Sequence, residues 1–410
     1  MTTTNKPPLL LLVHRIPFPP NKGDKIRSWH LLLHLLKSYQ VHIGYFVDDL
    51  ADVDCIETVN ALCASACSVV LNPYRSRLAS LAGLLTHRAL TLDYYHNAQM
   101  GRWVDATIKQ HGIGQMVIFS SAMAQYAEAH QAVVRIIDFV DIDSDKWLQY
   151  AVKKWWPLSW LYHREGVKLL QYERHIAALF DHALFVSPQE SALFRTLAPE
   201  SAHKISFFSN GVDTEYFSPH LALPSPYLPS QKIIVFTGAM DYWPNCDAVD
   251  WFAREMLPLI RERFPETCFY IVGSRPTQQV MALAMLQGVT VTGTVADVRP
   301  YLVHADVAVA PLRIARGIQN KVLEAMSAGK TVIVSPEALE GIDAKPVQEV
   351  LLAETAQQFV THICRIFTGG QVNLGRAARS KMVTQYGWDA NLAVLDRILS
   401  TKESSNLKTG

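Results

Sequence analysis

The stretch RGIQNKVLEAMSAGK, residues 316–330, governs how this chain is read. Val322, Leu323 and Met326 give it a buried face at helical spacing, and Gly329 ends it. Lys321 and Glu324 then share another face, because residues three apart on a helix lie one above the other. A surface ion pair would have the same spacing and contribute roughly a few tenths of a kcal/mol. The surroundings favour a site. Gly317 and the small loop before the helix let a ligand reach backbone N–H groups at a helix N-terminus, which suits an anion. Lys321 adds a point charge in the first turn, with Arg313 and Arg316 just upstream and Gln319 and Asn320 beside it. Glu324, acceptor-only when ionised, can take both hydroxyls of a ribose. A phosphate clamp and a ribose clamp on one helical face suit a nucleoside diphosphate.

Size and composition frame this reading. The 410 residues are too many for one ordinary core and imply two domains. With 38 basic against 37 acidic residues, nothing in the charge calls for nucleic acid. The six cysteines are scattered without zinc spacing, which suggests reduced thiols in a cytosolic protein. LLLLV (9–13) is too short to span a bilayer and lacks the flanks of a signal peptide. A soluble cytoplasmic protein is expected.

Outward from the motif, the chain alternates buried strands with amphipathic helices. LLLLV, VHIGYFVDD (41–49), QMVIFSS (115–121), VRIIDFVDI (134–142) and HALFVS (182–187) each run into a polar loop. KIIVFTGAM (232–240), a strand ending at Gly238, restarts the pattern; TCFYIVGS, VTVTGTV, ADVAVAPL and KTVIVSP follow. The expected fold is α/β, with two doubly wound Rossmann-like halves around a cleft between the carboxyl ends of two sheets. The boundaries are 1–217, a Pro/Ser-rich linker at 218–231, and 232–385, with a C-terminal helix at 386–401 returning to the first half.

At GTVADVRPYLVHADVAVAPL (293–312), followed by LEAMSAGKTVI, the sequence resembles glycosyltransferases of GT-B architecture, especially the retaining family four enzymes. SNGVDTEYF (209–217) and YGWDANLAVLDRIL (386–399) extend the resemblance to essentially the whole chain. It implies that Glu324 holds the donor ribose and that backbone around Val298 meets the nucleotide base. HRIPFPPNKGDKIRSWHLL, DFVDIDSDKW, GAMDYWPNCDAV and RGIQNKVLEAM are similar to the sugar transferases associated with PEP-CTERM and exosortase systems. That likeness implies bacterial exopolysaccharide assembly.

Two departures stand out. Arg316 occupies the position eight before Glu324 where the family usually has an acidic residue on the transferred sugar. GAMDYWPNC lacks the Arg and Lys that many members place on the diphosphate. Lys321, helped by Arg316, is therefore the expected source of that charge, and the two are the catalytic candidates on the donor side. The donor set comprises Gly23, Gly238, Val298, Arg316, Gly317, Gln319, Asn320, Lys321 and Glu324.

In the first half, Gly23 either lets backbone approach the donor or belongs to an ordinary capping turn with Asp24 as cap. Lys22, Lys25 and Arg27 either meet an anionic acceptor or are solvated. DFVDIDSDKW (138–147) holds four carboxylates at a strand end. It fails as a calcium loop, since the sixth position is Lys146 and no glutamate stands at the twelfth. A D-x-D metal motif would belong to the other glycosyltransferase fold, so no obligatory metal or cofactor is expected. Asp141 and Asp143 are the candidate catalytic carboxylates, and Lys22, Asp24, Ser120, Asp138 and Asp145 the acceptor-binding candidates. Loop capping is the competing account of each. Ser120 opens SSAMAQY, where relatives often place a catalytic histidine and this chain has none.

KKWWPLSWLYHREGVKLLQYERH (153–175) mixes three tryptophans with basic residues. It reads either as a peripheral contact with the inner face of the cytoplasmic membrane or as a packed helix pair. The expected activity is transfer of a sugar, of hexosyl type, from a nucleotide-sugar donor to a glycan or lipid-linked hydroxyl acceptor. The alternatives are a non-catalytic nucleotide-sugar-binding subunit and a GT-B sugar-nucleotide epimerase.

Overall fold

The structure, a computed structural model, describes residues 6–406 except 73, 75–79, 81, 82, 87, 153, 316 and 371–373. The chain forms two compact units, Met1–Ser209 with Leu392–Gly410, and Asn210–Asn391.

The first unit is built on seven parallel strands: β1 Pro8–Val13, β2 Gln40–Val47, β3 Ser65–Val70, β4 Gln115–Phe119, β5 Val134–Val140, β6 His182–Phe185 and β7 Ile205–Phe207. They lie in the order β3-β2-β1-β4-β5-β6-β7. Leu9 to Val13 have no exposed surface, as a strand covered on both faces requires. The second unit repeats the winding with β8 Lys232–Thr237, β9 Thr267–Val272, β10 Val289–Gly293, β11 Val307–Ala310, β12 Val332–Val334 and β13 Leu351–Leu352. Their order is β10-β9-β8-β11-β12-β13. In each sheet the strand order reverses beside the unit's first strand, and the loops at its carboxyl end are where such folds bind ligands.

After β8 a helix runs from Trp243 to Trp251, is interrupted by a π turn at Phe252–Met256 and resumes at Leu257–Arg261. Pro258 explains the interruption: it offers no N–H to the preceding turn, and a wider turn accommodates its ring. Residues 218–231 are largely exposed and belong to the second unit, where Tyr227 anchors them. The Tyr227 hydroxyl donates to the Tyr301 carbonyl at 2.6 Å, and its ring meets those of Tyr270 and Tyr301. The units divide earlier, at Ser209/Asn210.

The last helix, Trp388–Asn406, begins in the second unit and ends in the first. Trp388 packs so closely over Gly211 that a Cβ there would come within 2.9 Å of the indole. Leu392, Leu395 and Leu399 are fully buried, and in the first unit Gln115 Nε2 donates to the Leu399 carbonyl at 3.1 Å. Among the described residues no helix is long and apolar enough to cross a membrane.

Candidate functional site

In the second unit the helix Asn320–Ser327 follows the loop after β11, burying Val322, Leu323, Ala325 and Met326 beneath it. Gln319 is its N-cap, without a side-chain capping bond, so the first-turn N–H groups are not met by that side chain. Gly317 has φ 65°, and Gln319 Nε2 donates back to its carbonyl at 3.1 Å. The Asn320 side-chain oxygen is buried without a hydrogen-bond partner.

Lys321 reaches across to the loop after β8. Its ammonium donates to Asn245 Oδ1 at 2.5 Å, and Asn245 Nδ2 donates to the Ala239 carbonyl at 2.8 Å. The ammonium also stands 4.8 Å from the Phe236 ring centre. This loop is the GAMDYW segment that lacks its own Lys or Arg, and Lys321 brings a cation beside it. The approach demands glycines. A Cβ on Gly238, whose φ is 156°, would stand 2.8 Å from Asn245 Nδ2; a Cβ on Gly273 would stand 1.6 Å from the Gly238 oxygen.

Lys321 and Glu324 are each half-buried. Burial pulls the Lys321 ammonium down to about 8, against the pull of Glu324. Burial pushes the Glu324 carboxyl up to about 7, opposed by Lys321. Burial also raises the Tyr216 hydroxyl, with Asp297 and Glu324 adding negative charge around it. Arg299 lies over the Tyr216 ring at 3.9 Å and forms a fork with Asp297. Val298 is the residue ahead of the helix Arg299–His304, in the loop after β10. Arg313 does not join Lys321: its guanidinium forms a fork with Asp247. Arg316 lies outside the described residues.

In the first unit the acidic loop after β5 is committed to the protein. Asp138 is buried, and Arg27, itself fully buried, grips both its oxygens at 2.7 and 3.1 Å. Arg27 also donates to the Phe208 carbonyl at 3.0 Å. This corrects two expectations: Asp138 is a structural clamp closed to an acceptor, and Arg27 is not solvated. Lys25 is likewise buried, 3.0 Å from Asp52. The Asp138 clamp sits beside strain, because Ser120 and Val140, at the ends of β4 and β5, have φ of 79° and 70°. Asp138 Oδ1 accepts from Val140 N, and the Asp138 carbonyl from Ser120 N. Lys146 donates to Asp141 and Asp143 at 2.8 and 3.3 Å, and Asp145 accepts from Gln149. Among the described residues no group of three His, Cys, Asp or Glu side chains could hold a metal ion.

Asp24 is not a cap. Lys22 holds that position, 3.9 Å from Asp49, and Asp24 stands in the first turn of the helix Gly23–Ser38. A Cβ on Gly23 would meet open space, so the fold does not require glycine there. Asp24 takes Arg15 at 2.6 Å and lies 3.5 Å from His14 Nε2. Burial works against its charge, but His14 and Arg15 hold the Asp24 carboxyl well below the usual carboxylate range.

Residues 231–368 match a family model described as glycosyl transferases group 1. The second unit is a glycosyltransferase domain. No curated protein sequence matches the chain. Among solved structures, sucrose-phosphate synthase from Thermosynechococcus elongatus is 17% identical with a TM-score of 0.69, covering 98% of this chain and 100% of its own. Anabaena Alr3699/HepE in complex with UDP-glucose is 13% identical at a TM-score of 0.63, covering 97% and 99%. WaaG, a glycosyltransferase involved in lipopolysaccharide biosynthesis, is 13% identical at 0.64, covering 95% and 99%. These likenesses establish the fold, which is GT-B.

Within the glycosyltransferase domain, Gly238, Gly317, Gln319, Asn320, Lys321 and Glu324 gather at the carboxyl ends of β8 and β11. The sequence reading missed Asn245, Gly273 and Tyr216. The one available signal was the paired strand-end glycines, 238 and 273. In the first unit it missed His14 and Arg15, whose partners Asp24 and Asp48 lie on other segments.

Proposed function

We propose that this chain moves a glycosyl group from a nucleoside-diphosphate sugar to a hydroxyl acceptor, with retention of configuration. The reading rests on one observation: Lys321 carries its ammonium to the glycine loop after β8, with Glu324 one turn behind it on the same helix. Lys321 neutralises the departing diphosphate, and Glu324 accepts from the ribose hydroxyls. The sequence adds Arg316 to the same anion, and Val298 to the base. The donor class is supported by the Anabaena structures, which are complexes with UDP and with UDP-glucose. We assign the acceptor to a glycan or lipid-linked hydroxyl in bacterial exopolysaccharide or cell-surface assembly, at the cytoplasmic side, with no metal in the chemistry. The engagement of every acidic side chain in 138–145 by protein groups favours one rival, a subunit that binds nucleotide sugars without turnover.

Thermal-shift titration with UDP, GDP, ADP and CDP tests the donor site, since a ligand that binds only the folded state raises the midpoint. One nucleotide should stabilise the wild type, and Lys321→Ala and Glu324→Ala should each abolish the shift. Variants that respond like the wild type would leave the helix a purely structural element. Turnover with added acceptor separates transfer from binding, and conversion of free donor would indicate an epimerase.

A further inference from the structure

The helices Asp143–Val152 and Leu158–Leu179 form a hairpin. They pack so closely that a Cβ on Gly166 would come within 2.7 Å of the Leu148 side chain. Trp147 belongs to this packing, with its ring 5.2 Å from that of Tyr162 and lying against the buried Leu169 cluster. The tip of the hairpin does the opposite. Val152 is 88% exposed, Trp155 91%, Trp156 81% and Trp160 56%, with Tyr150 and Leu158 also open to water. Scattered single apolar residues on a surface need no explanation, but three tryptophans within six positions, flanked by other apolar side chains, do.

The charge around the tip indicates what covers it. No acidic residue occurs between Lys146 and Arg164, and the exposed polar positions include Lys154 and His163. Indoles suit the boundary between headgroups and acyl chains, where an apolar ring and a polar N–H are both satisfied; cations beside them suit anionic headgroups. We infer that the hairpin tip, Val152 with 154–160, seats on the surface of an anionic lipid bilayer, with Trp155, Trp156 and Trp160 at headgroup depth and Lys154 on lipid phosphate. The contact is interfacial and does not span the membrane. It stands independently of the donor site.

Flotation of the full chain with vesicles tests this. Vesicles of equal parts phosphatidylcholine and phosphatidylglycerol should carry the wild type upward, and phosphatidylcholine alone should carry much less. The double variant Trp155→Ser/Trp156→Ser should reduce binding about ten-fold or more, and added salt should weaken what the wild type shows. The variant should keep the wild-type melting temperature, because both side chains lie outside the core. Absence of flotation, equal binding by the variant, or equal binding to phosphatidylcholine alone would overturn the inference. So would a self-association, seen by sedimentation, that the variant dissolves without any vesicle binding.

Discussion

Lys321 and Glu324 are each held in an environment that opposes their charge, and this sets a pH window. In the free protein Lys321 sheds its proton above about 8, losing the charge proposed to meet the diphosphate. Glu324 keeps its proton below about 7 and cannot then act as a pure acceptor for two hydroxyls. Nucleotide affinity should therefore peak between these values and fall on both sides, as isothermal titration across pH would measure. In Glu324→Gln the acid limb should vanish while the alkaline limb persists; an unchanged profile would remove Glu324 from the site. That these two residues share one helix was legible in sequence because their spacing is local. Asn245 was not, since it meets Lys321 across 76 positions. Asp138 was misread for the same reason: its partner Arg27 is 111 residues away, and nothing near DFVDIDSD signals that one of its carboxylates is already taken.

At the scale of elements, the proposed donor site is built where two strand ends touch. The 1.6 Å separation at Gly273 leaves no room for a side chain against backbone. Gly273→Ala should cost about 3 kcal/mol or more by urea unfolding, because the loops after β8 and β9 must part. Asn245→Ala separates positioning from folding. It leaves the Lys321 ammonium without its amide partner, so nucleotide affinity should fall by about 1.5–3 kcal/mol, the worth of one hydrogen bond to a charged group. A calorimetric Kd unchanged from the wild type would mean that the amide does not position the lysine. The long strands were readable because strands covered on both faces leave continuous apolar runs, as in LLLLV and KIIVF. β3, whose SACSVV is broken by two serines, and the two-residue β13 leave no such run. The π turn before Pro258 arises from a missing N–H, which hydrophobic spacing does not register.

At the scale of the whole molecule, the helix Trp388–Asn406 belongs to both units. Leu395→Ala should destabilise by about 2–5 kcal/mol, as expected for a fully buried leucine. Hydrogen exchange should localise the loss to peptides of β1–β7, with β8–β13 keeping their protection; loss in both sheets alike would contradict the division. The arrangement also bears on the order of events during synthesis. The ribosome delivers residues 1–209 first, yet Leu392, Leu395 and Leu399, which complete that unit, emerge only after all of Asn210–Asn391. Asn210–Asn391, by contrast, is continuous and has all its residues in hand earlier. Domains made on the ribosome commonly mature from the N-terminus onward. Here the half that is translated first is completed only after the other half has been made.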